Sequence, residues 1–308
     1  MTGPVGQPVV RVENFRMVFG DHEVIKDLSF EVAPGETFGF LGSNGSGKTT
    51  TIRALLGIYL PTAGLLHVDG RPFRPSQTRE LGYLPEERGL YKKEPVLRTM
   101  VYFGRLKGMS AAAAKRWSMD YLERVGLPDK ALIRLDKLSG GQQQKVQLGV
   151  TIMNQPRLLI LDEPTKGFDP VNRRLLMDLI DEQKRAGSTV IMVTHQMEEV
   201  ERLCDRVILL KDGVARAYGS VTEVQEQFGG VTVKLAYQGQ LPELPGCRQL
   251  TADQSGHVEL GLPPGQDLAE LLARLVASGV SVSAFTPSRR SLDSIFVEVY
   301  GRSAQEED

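Results

Sequence analysis

The chain has 308 residues, of which 41% are hydrophobic and 24% charged, and its formal net charge is -1. This composition suits a globular protein with one large domain and a small one, or two of medium size. It excludes the overall basic footprint of a nucleic-acid binder, and no apolar run approaches the ~18 residues that a membrane-spanning helix needs.

Residues 1–8 lack a basic stretch followed by an apolar core, so no signal peptide is expected. Residues 9–19 and 24–32 read as strands joined at the turn Gly20-Asp21-His22-Glu23. Phe19, just before that turn, reads equally as a strand-end core aromatic and as a ring for stacking on a nucleotide base. Ala33-Pro34-Gly35-Glu36 makes a second turn, and Thr37-Phe38-Gly39-Phe40-Leu41 is a short apolar strand.

The stretch that follows, Gly42-Ser43-Asn44-Gly45-Ser46-Gly47-Lys48-Thr49-Thr50, fits the phosphate-binding pattern GxxxxGK(S/T). Its glycines let the backbone curl so that successive N–H groups point inward at phosphate oxygens. Lys48 can reach the β- and γ-phosphates, and the Thr49 hydroxyl can take one position on Mg²⁺. Ile52, Leu55 and Leu56 have helical spacing, which places a helix N-terminus against the phosphates.

Residues 57–84 hold Gly-rich turns and short strands, with Leu65 to Gly70 as a hairpin arm. His67 is expected on its solvent side, and Arg71, Arg74 and Arg79 on a solvated face. The segment Gly82-Tyr83-Leu84-Pro85-Glu86-Glu87-Arg88-Gly89-Leu90-Tyr91 is broken by Pro and Gly, yet its aromatic and leucine side chains call for burial or a partner. From Pro95 to Val125 the pattern is helical, with Ser110 as a cap, Gly126 as a stop and Trp117 expected in a core or interface. A helical subdomain over about 92–150 follows from this pattern. It includes Leu138-Ser139-Gly140-Gly141-Gln142, where Ser139 caps a helix and the two glycines admit a ligand to its N-terminus.

The apolar run Arg157 to Leu161 ends in Asp162-Glu163-Pro164. Adjacent acids at the end of a buried strand are costly unless they have partners or a task. Asp162 can hold Mg²⁺ through its water shell, and Glu163 can polarise an attacking water. An amphipathic helix over 171–186 leads to the strand Thr189 to Val193, which delivers Thr194-His195, with His195 as a γ-phosphate contact. Cys204 is expected in a core, and it and Cys247 lie too far apart in sequence for a CxxC or metal spacing, so both are read as reduced thiols. Arg206 to Leu210 and the Asp212-Gly213 turn close the α/β domain. Beyond Gly229-Gly230, strands at 231–235, 257–260 and 280–283 and helices at 266–278 and 292–300 read as a small α+β domain without a catalytic constellation. The tail over 303–308 is expected to be disordered.

Taken together these residues resemble the ATP-binding subunit of an ABC transporter, over roughly residues 8–222. The resemblance rests on the loop at 42–50, the signature Leu138 to Gln142, the acidic strand end Asp162-Glu163, then Asp169 and His195 in the family's order. The segment Tyr83 to Tyr91 and the C-terminal Ser291-Leu292-Asp293-Ser294-Ile295-Phe296 look further like the ABC-2 type sodium/drug exporter branch. The implied fold is an α/β P-loop NTPase core with an antiparallel β subdomain and a helical subdomain over 8–228, then a small accessory domain over 229–302. The implied cofactors are ATP and Mg²⁺, with Thr49, Asp162 and Glu86 around the metal. Glu163 is the implied general base and His195 the γ-phosphate sensor. Phe19 is the implied base-stacking residue, in place of the family's common Tyr, and Asp169 carries communication between sites. The implied assembly is a head-to-tail dimer, with itself or a related subunit, in which Ser139, Gly140, Gly141 and Gln142 of each copy cover the other copy's ATP. It would sit at the cytoplasmic face of the cell membrane and drive export through a separate permease, with no nucleic-acid partner. Two departures stand out: Glu86 occupies a position where the family usually has Gln, and Phe19 lacks the hydroxyl. The competing expectation is a soluble ABC ATPase acting on a metallocluster scaffold or the ribosome.

Overall fold

The computed structural model describes residues 7–74, 80–87, 89–228, 231–253, 256–263 and 265–301. Arg79, Arg88, the Gly229-Gly230 pair and the 303–308 tail lie outside the described residues. The chain divides into two compact units, Met1–Tyr218 and Gly219–Asp308. The division falls one helix before the Gly229-Gly230 boundary expected from composition.

In chain order the first part comprises β1 (Val10–Phe19), β2 (His22–Val32), β3 (Thr37–Leu41), α1 (Lys48–Leu55), β4 (Ala63–Val68) and β5 (Leu81–Leu84). Three helices follow, α2 (Val96–Leu106), α3 (Ala111–Arg124) and α4 (Gly140–Ile152). It continues through β6 (Leu158–Asp162), α5 (Pro170–Arg185), β7 (Thr189–Val193), α6 (Met197–Leu203), β8 (Arg206–Lys211) and β9 (Val214–Ser220). The nine strands form one sheet in the order β4-β1-β2-β9-β8-β3-β7-β6-β5. β1 pairs antiparallel with β2 and β4, whereas β8, β3, β7, β6 and β5 run parallel. Every residue of β3, β6 and β7 is buried, the signature of parallel strands covered on both faces. Phe15, Phe30, Phe38, Phe40, Ile52 and Ile191 form the centre of the core that results.

Two elements depart from the sequence reading. Leu81–Leu84, within a segment expected to be broken by Pro and Gly, is a strand paired along its length with β6, which buries Leu84. β9 is a strand that its weak alternation did not announce; it follows the turn at Asp212-Gly213, where both residues take positive φ. His67 is half-buried, and Trp117, expected in a core or interface, is also half-buried, its ring stacked on Tyr121 with centroids 5.1 Å apart. Cys204 packs its sulfur beneath Gly39 of β3, and burial pushes its thiol pKa up.

The helical subdomain is held around α4. Ser110 accepts the Ala113 amide at the start of α3, and Gly126, at φ 72°, ends the helix. The Tyr121 hydroxyl donates to the Lys145 carbonyl at 2.7 Å, and the ring lies directly on Gly149. The Lys107 ammonium donates to the Thr151 and Met153 carbonyls, which the end of α4 leaves without helical partners. Among the described residues no helix is long and apolar enough to cross a membrane.

The second unit begins with α7 (Val221–Gln227). It then folds β10 (Val231–Gln238), β11 (Arg248–Ala252), β12 (His257–Gly261) and β13 (Ser281–Arg289) into an antiparallel sheet of order β11-β12-β10-β13. Leu271 and Leu275 of α8 (Leu268–Ala277) pack on Val233, Leu235, Val258 and Leu260. After β13, α9 (Leu292–Gly301) completes the unit, where buried Glu259 accepts the Ser291 amide and hydroxyl at 3.1 and 2.8 Å. This is the small α+β unit expected, with α7 and β11 added and β13 longer than its Val280-to-Ser283 signal.

A methyl group at residue 149 would lie 2.4 Å from the Tyr121 ring, too close for contact. Gly149→Ala should therefore destabilise the protein by about 1–3 kcal/mol despite the better helix propensity of alanine. Denaturant unfolding measures this; an unchanged or raised stability would show that the ring yields freely.

Candidate functional site

Because β3 lies between β8 and β7, and β6 beside β7, the parallel strands deliver their carboxyl ends to one edge. The loop at 42–47 leaves β3 there, Asp162-Glu163 ends β6, and Thr194-His195 follows β7. Ligands of open α/β sheets bind outside such ends.

The loop is shaped by close approach. A Cβ at Gly42 would meet Ser46 Oγ at 2.4 Å and the Leu210 carbonyl at 2.6 Å, and one at Gly47 would meet Ile25 Cδ1 at 2.3 Å. Gly45 faces open space at φ 81°. Ser46 turns its amide to the Ser43 carbonyl, and its buried hydroxyl has no partner, while Ser43 and Asn44 lie toward the surface. Gly47 is the N-cap of α1, so no side chain caps the helix whose first turn carries Lys48, Thr49 and Thr50. The Lys48 ammonium curls over the loop and donates to the Gly42 and Ser43 carbonyls at 2.7 and 2.8 Å. Burial lowers its pKa, and Glu163, Asp162 and Glu86 oppose that shift.

Three carboxylates face Lys48. Asp162 is 3% exposed, and burial, then the charges of Glu86 and Glu163, push its pKa up to about 6. Glu163 sits at φ 49°, a strained conformation for a non-glycine residue. Its amide donates to the Val193 carbonyl at 2.8 Å, which ties the end of β6 to β7. Its carboxylate Oε1 lies 2.7 Å from His195 Nδ1, and the other ring nitrogen meets the Gln196 side-chain amide at 3.1 Å. Glu86 is paired with Lys166 at 2.6 Å. Sequence reasoning missed Lys166, since nothing in its local pattern announces a partner 80 residues away.

These groups fit Mg²⁺ and a polyphosphate. The uncapped helix start, the unpartnered Ser46 hydroxyl and the open face at Gly45 offer donors and room for an anion. A divalent cation beside Thr49 and Asp162 would offset the repulsion between the carboxylates. Among the described residues no three His, Cys, Asp or Glu side chains converge to hold a metal by themselves. Mg²⁺ takes one or two carboxylates and completes its shell with phosphates and water, so Thr49 and Asp162 fit it.

A second group gathers elsewhere. Ser139 caps α4 by accepting the Gln142 amide, and Gln142 Oε1 accepts the Ser139 amide at 2.9 Å. Ser139, Gly141, Gln142 and Asp169 line a cleft of about 400 Å³, with Phe168 beneath Gly141. Gly140 is the first residue of α4. Asp169 also caps α5 by accepting the Val171 and Asn172 amides at 3.0 Å. Lys145 lines the same cleft while donating to the Val125 carbonyl at 3.0 Å. The spacing Ser139, Gln142, Lys145 along one helical face was the available signal for this residue. None of residues 42–50 lines the cleft. Phe19 is 45% exposed with its ring edge-on to Tyr59, which removes the core reading and leaves a ring open for stacking.

Comparison with known proteins gives a consistent picture. Residues 25–166 match the family model described as ABC transporter, and residues 219–300 match that of the ATP-binding protein DrrA1-3-like C-terminal domain. An uncharacterized ABC transporter ATP-binding protein of Methanocaldococcus jannaschii is 45% identical, over 71% of this chain and 80% of its own length. The Nod factor export ATP-binding protein I of Bradyrhizobium diazoefficiens is 38% identical, over 80% of each chain. The solved structure of CbiO1 from Clostridium perfringens, described as part of the ABC transporter complex CbiONQ, superposes with a TM-score of 0.62 at 26% identity. It covers 72% of this chain and 92% of its own.

Asp162 yields a pH-dependent prediction. A carboxyl whose folded pKa is raised favours the folded state below its unfolded pKa and loses that contribution as pH rises through about 6. Asp162→Asn removes the buried charge, so it should stabilise the nucleotide-free protein by about 2–3 kcal/mol at pH 7.5 and hardly at all near pH 4. Urea unfolding of both proteins at the two pH values tests this; equal differences at both would refute the buried-charge account.

Proposed function

Because this chain belongs to the ATP-binding subunits of ABC transporters and is an ATPase, we propose that two copies close head to tail around two ATP molecules and drive export through a separate membrane permease. One observation carries this reading. The cleft at Ser139, Gly141 and Gln142 includes none of the phosphate-loop residues, which supports a reading in which the signature of one copy meets the loop of another. The Nod factor export relative and the DrrA1-3-like match support export as the direction. On this reading the chain is a peripheral subunit at the cytoplasmic face of the membrane.

Lys48 and the amides of the loop bind the β- and γ-phosphates, and Phe19 stacks on the base. Thr49 and Asp162, with Glu86 adjacent, would hold Mg²⁺, which when bound neutralises charge on the phosphate oxygens. Glu163 takes the proton of the attacking water. His195, 2.7 Å from the Glu163 carboxylate, orients it and touches the γ-phosphate. The partner copy closes over the γ-phosphate with the Ser139 hydroxyl, the amides of Gly140, Gly141 and Gln142 at the start of its α4, and the Lys145 charge nearby. Asp169, fixed at the start of α5, carries the state of one site to the other. ATP stabilises the closed dimer through its contacts to both copies, and hydrolysis removes them.

Glu163→Gln should lower turnover by about 10²–10⁴-fold while leaving ATP binding intact. With ATP the variant should elute as a dimer in size-exclusion chromatography with light scattering, and as a monomer without it. Lys48→Ala should abolish both binding and dimer formation. Parent-like turnover by Glu163→Gln would remove Glu163 as the base. A monomer under ATP would remove the sandwich, and co-purification with soluble partners alone would remove the permease.

A further inference from the structure

Behind the catalytic edge lies a buried carboxylate that the mechanism above does not use. Glu199 stands on α6, one turn beyond His195, and is 1% exposed. Its Oε1 accepts the hydroxyl of Thr165, itself 2% exposed, and faces Arg173 Nε at 3.7 Å. Its other oxygen, Oε2, is buried without a hydrogen-bond partner, and Arg173 Nε, ion-paired to Oε1, is likewise buried without a hydrogen bond. An under-satisfied buried charge is expensive, and an apolar side chain would cost less there.

The three residues come from the three segments on which the site depends. Thr165 belongs to the turn that begins at Glu163, closed by the Lys166 amide on the Glu163 carbonyl at 3.2 Å. Arg173 lies on the first turn of α5, the helix capped by Asp169. Glu199 lies on the helix that follows His195. The turn carries Glu163 at φ 49°, and such a residue keeps its conformation only where its surroundings hold it. On its far side, the Phe168 amide donates to the Thr165 carbonyl at 3.2 Å, so the anchor at Thr165 also sets the path toward Asp169.

We infer that Glu199 is a positioning residue of the ATPase. By gripping Thr165 and Arg173 it fixes the Glu163 turn, the His195 segment and the Asp169 loop as one unit, so that the Glu163 carboxylate meets the attacking water in register. Burial raises the Glu199 pKa, while the Thr165 hydrogen bond and the Arg173 charge oppose the shift. The inference rests on the ATPase reading above, since positioning has meaning only if Glu163 acts on ATP.

The test uses the full chain and reads steady-state ATP hydrolysis and Mg·ATP affinity separately. Glu199→Gln keeps the size and the Thr165 acceptor but ends the attraction to Arg173; Thr165→Val removes the donor from the other side, and Thr165→Ser retains it. Both Glu199→Gln and Thr165→Val should lower kcat by about tenfold or more through misplacement of the base. Their ATP dissociation constants should stay within about twofold of the parent, and Thr165→Ser should keep near-parent kcat. The double variant should be little worse than the poorer single one, as for residues acting as one unit. Parent-like kcat in Glu199→Gln and Thr165→Val would overturn the inference. So would a joint fall of kcat, affinity and unfolding midpoint, which marks a purely structural role, or a Thr165→Ser variant no better than Thr165→Val. A parent chain without ATP hydrolysis would instead overturn the ATPase reading.

Discussion

The structure depends on one electrostatic constraint, the mutual field of Lys48, Asp162, Glu163 and Glu86 at the edge of a buried parallel sheet. Burial lowers the Lys48 pKa against the pull of Glu163, Asp162 and Glu86, and burial, then the charges of Glu86 and Glu163, disfavours the charge on Asp162. Water screens the charge of half-exposed Glu86, but Asp162 and Glu163, at the end of β6, are buried where screening is weak. The fold therefore supplies stability from elsewhere. The fully buried strands and the aromatic centre at Phe30, Phe38 and Phe40 bear the cost of an arrangement suited to binding a divalent cation and polyphosphate.

Backbone strain obeys the same logic. Glu163 occupies a left-handed conformation at the point where its carboxylate must reach His195, and it is held by the Val193 carbonyl on one side and the Thr165 turn on the other. The glycines of the phosphate loop answer a different need, since Gly42 and Gly47 leave no room for a side chain against Ser46 and Ile25. Strain at Glu163 and close approach in the loop together aim amides, ammonium and carboxylate from three strand ends at one place.

The helical subdomain places a second set of donors away from the first. Tyr121 on Gly149, and Lys107 at the far end of α4, hold the helix whose start carries Ser139. Its N-terminus opens on the cleft that also receives Asp169, from the same stretch that begins with Glu163. The two sets of donors therefore lie on separate surfaces of one chain.

The sequence by itself determined the fold class and which residue types stand at the strand ends and helix starts. Lys48, Asp162, Glu163, His195 and Ser139 stand in local patterns whose cost or geometry demands a task, such as glycines before a lysine or adjacent acids ending an apolar strand. The buried strands and capped helices were legible for the same local reason, their periodicity. Tertiary structure alone decided what depends on distant partners. Leu81–Leu84 is a strand because β6 supplies its hydrogen bonds, and Phe19, edge-on to Tyr59, is exposed at the end of its strand. Glu86 found Lys166, and Glu199 found Thr165 and Arg173, across separations that no local pattern encodes. Periodicity and turn chemistry act over a few residues, whereas the pairing of charges is fixed only when the sheet brings its strand ends together.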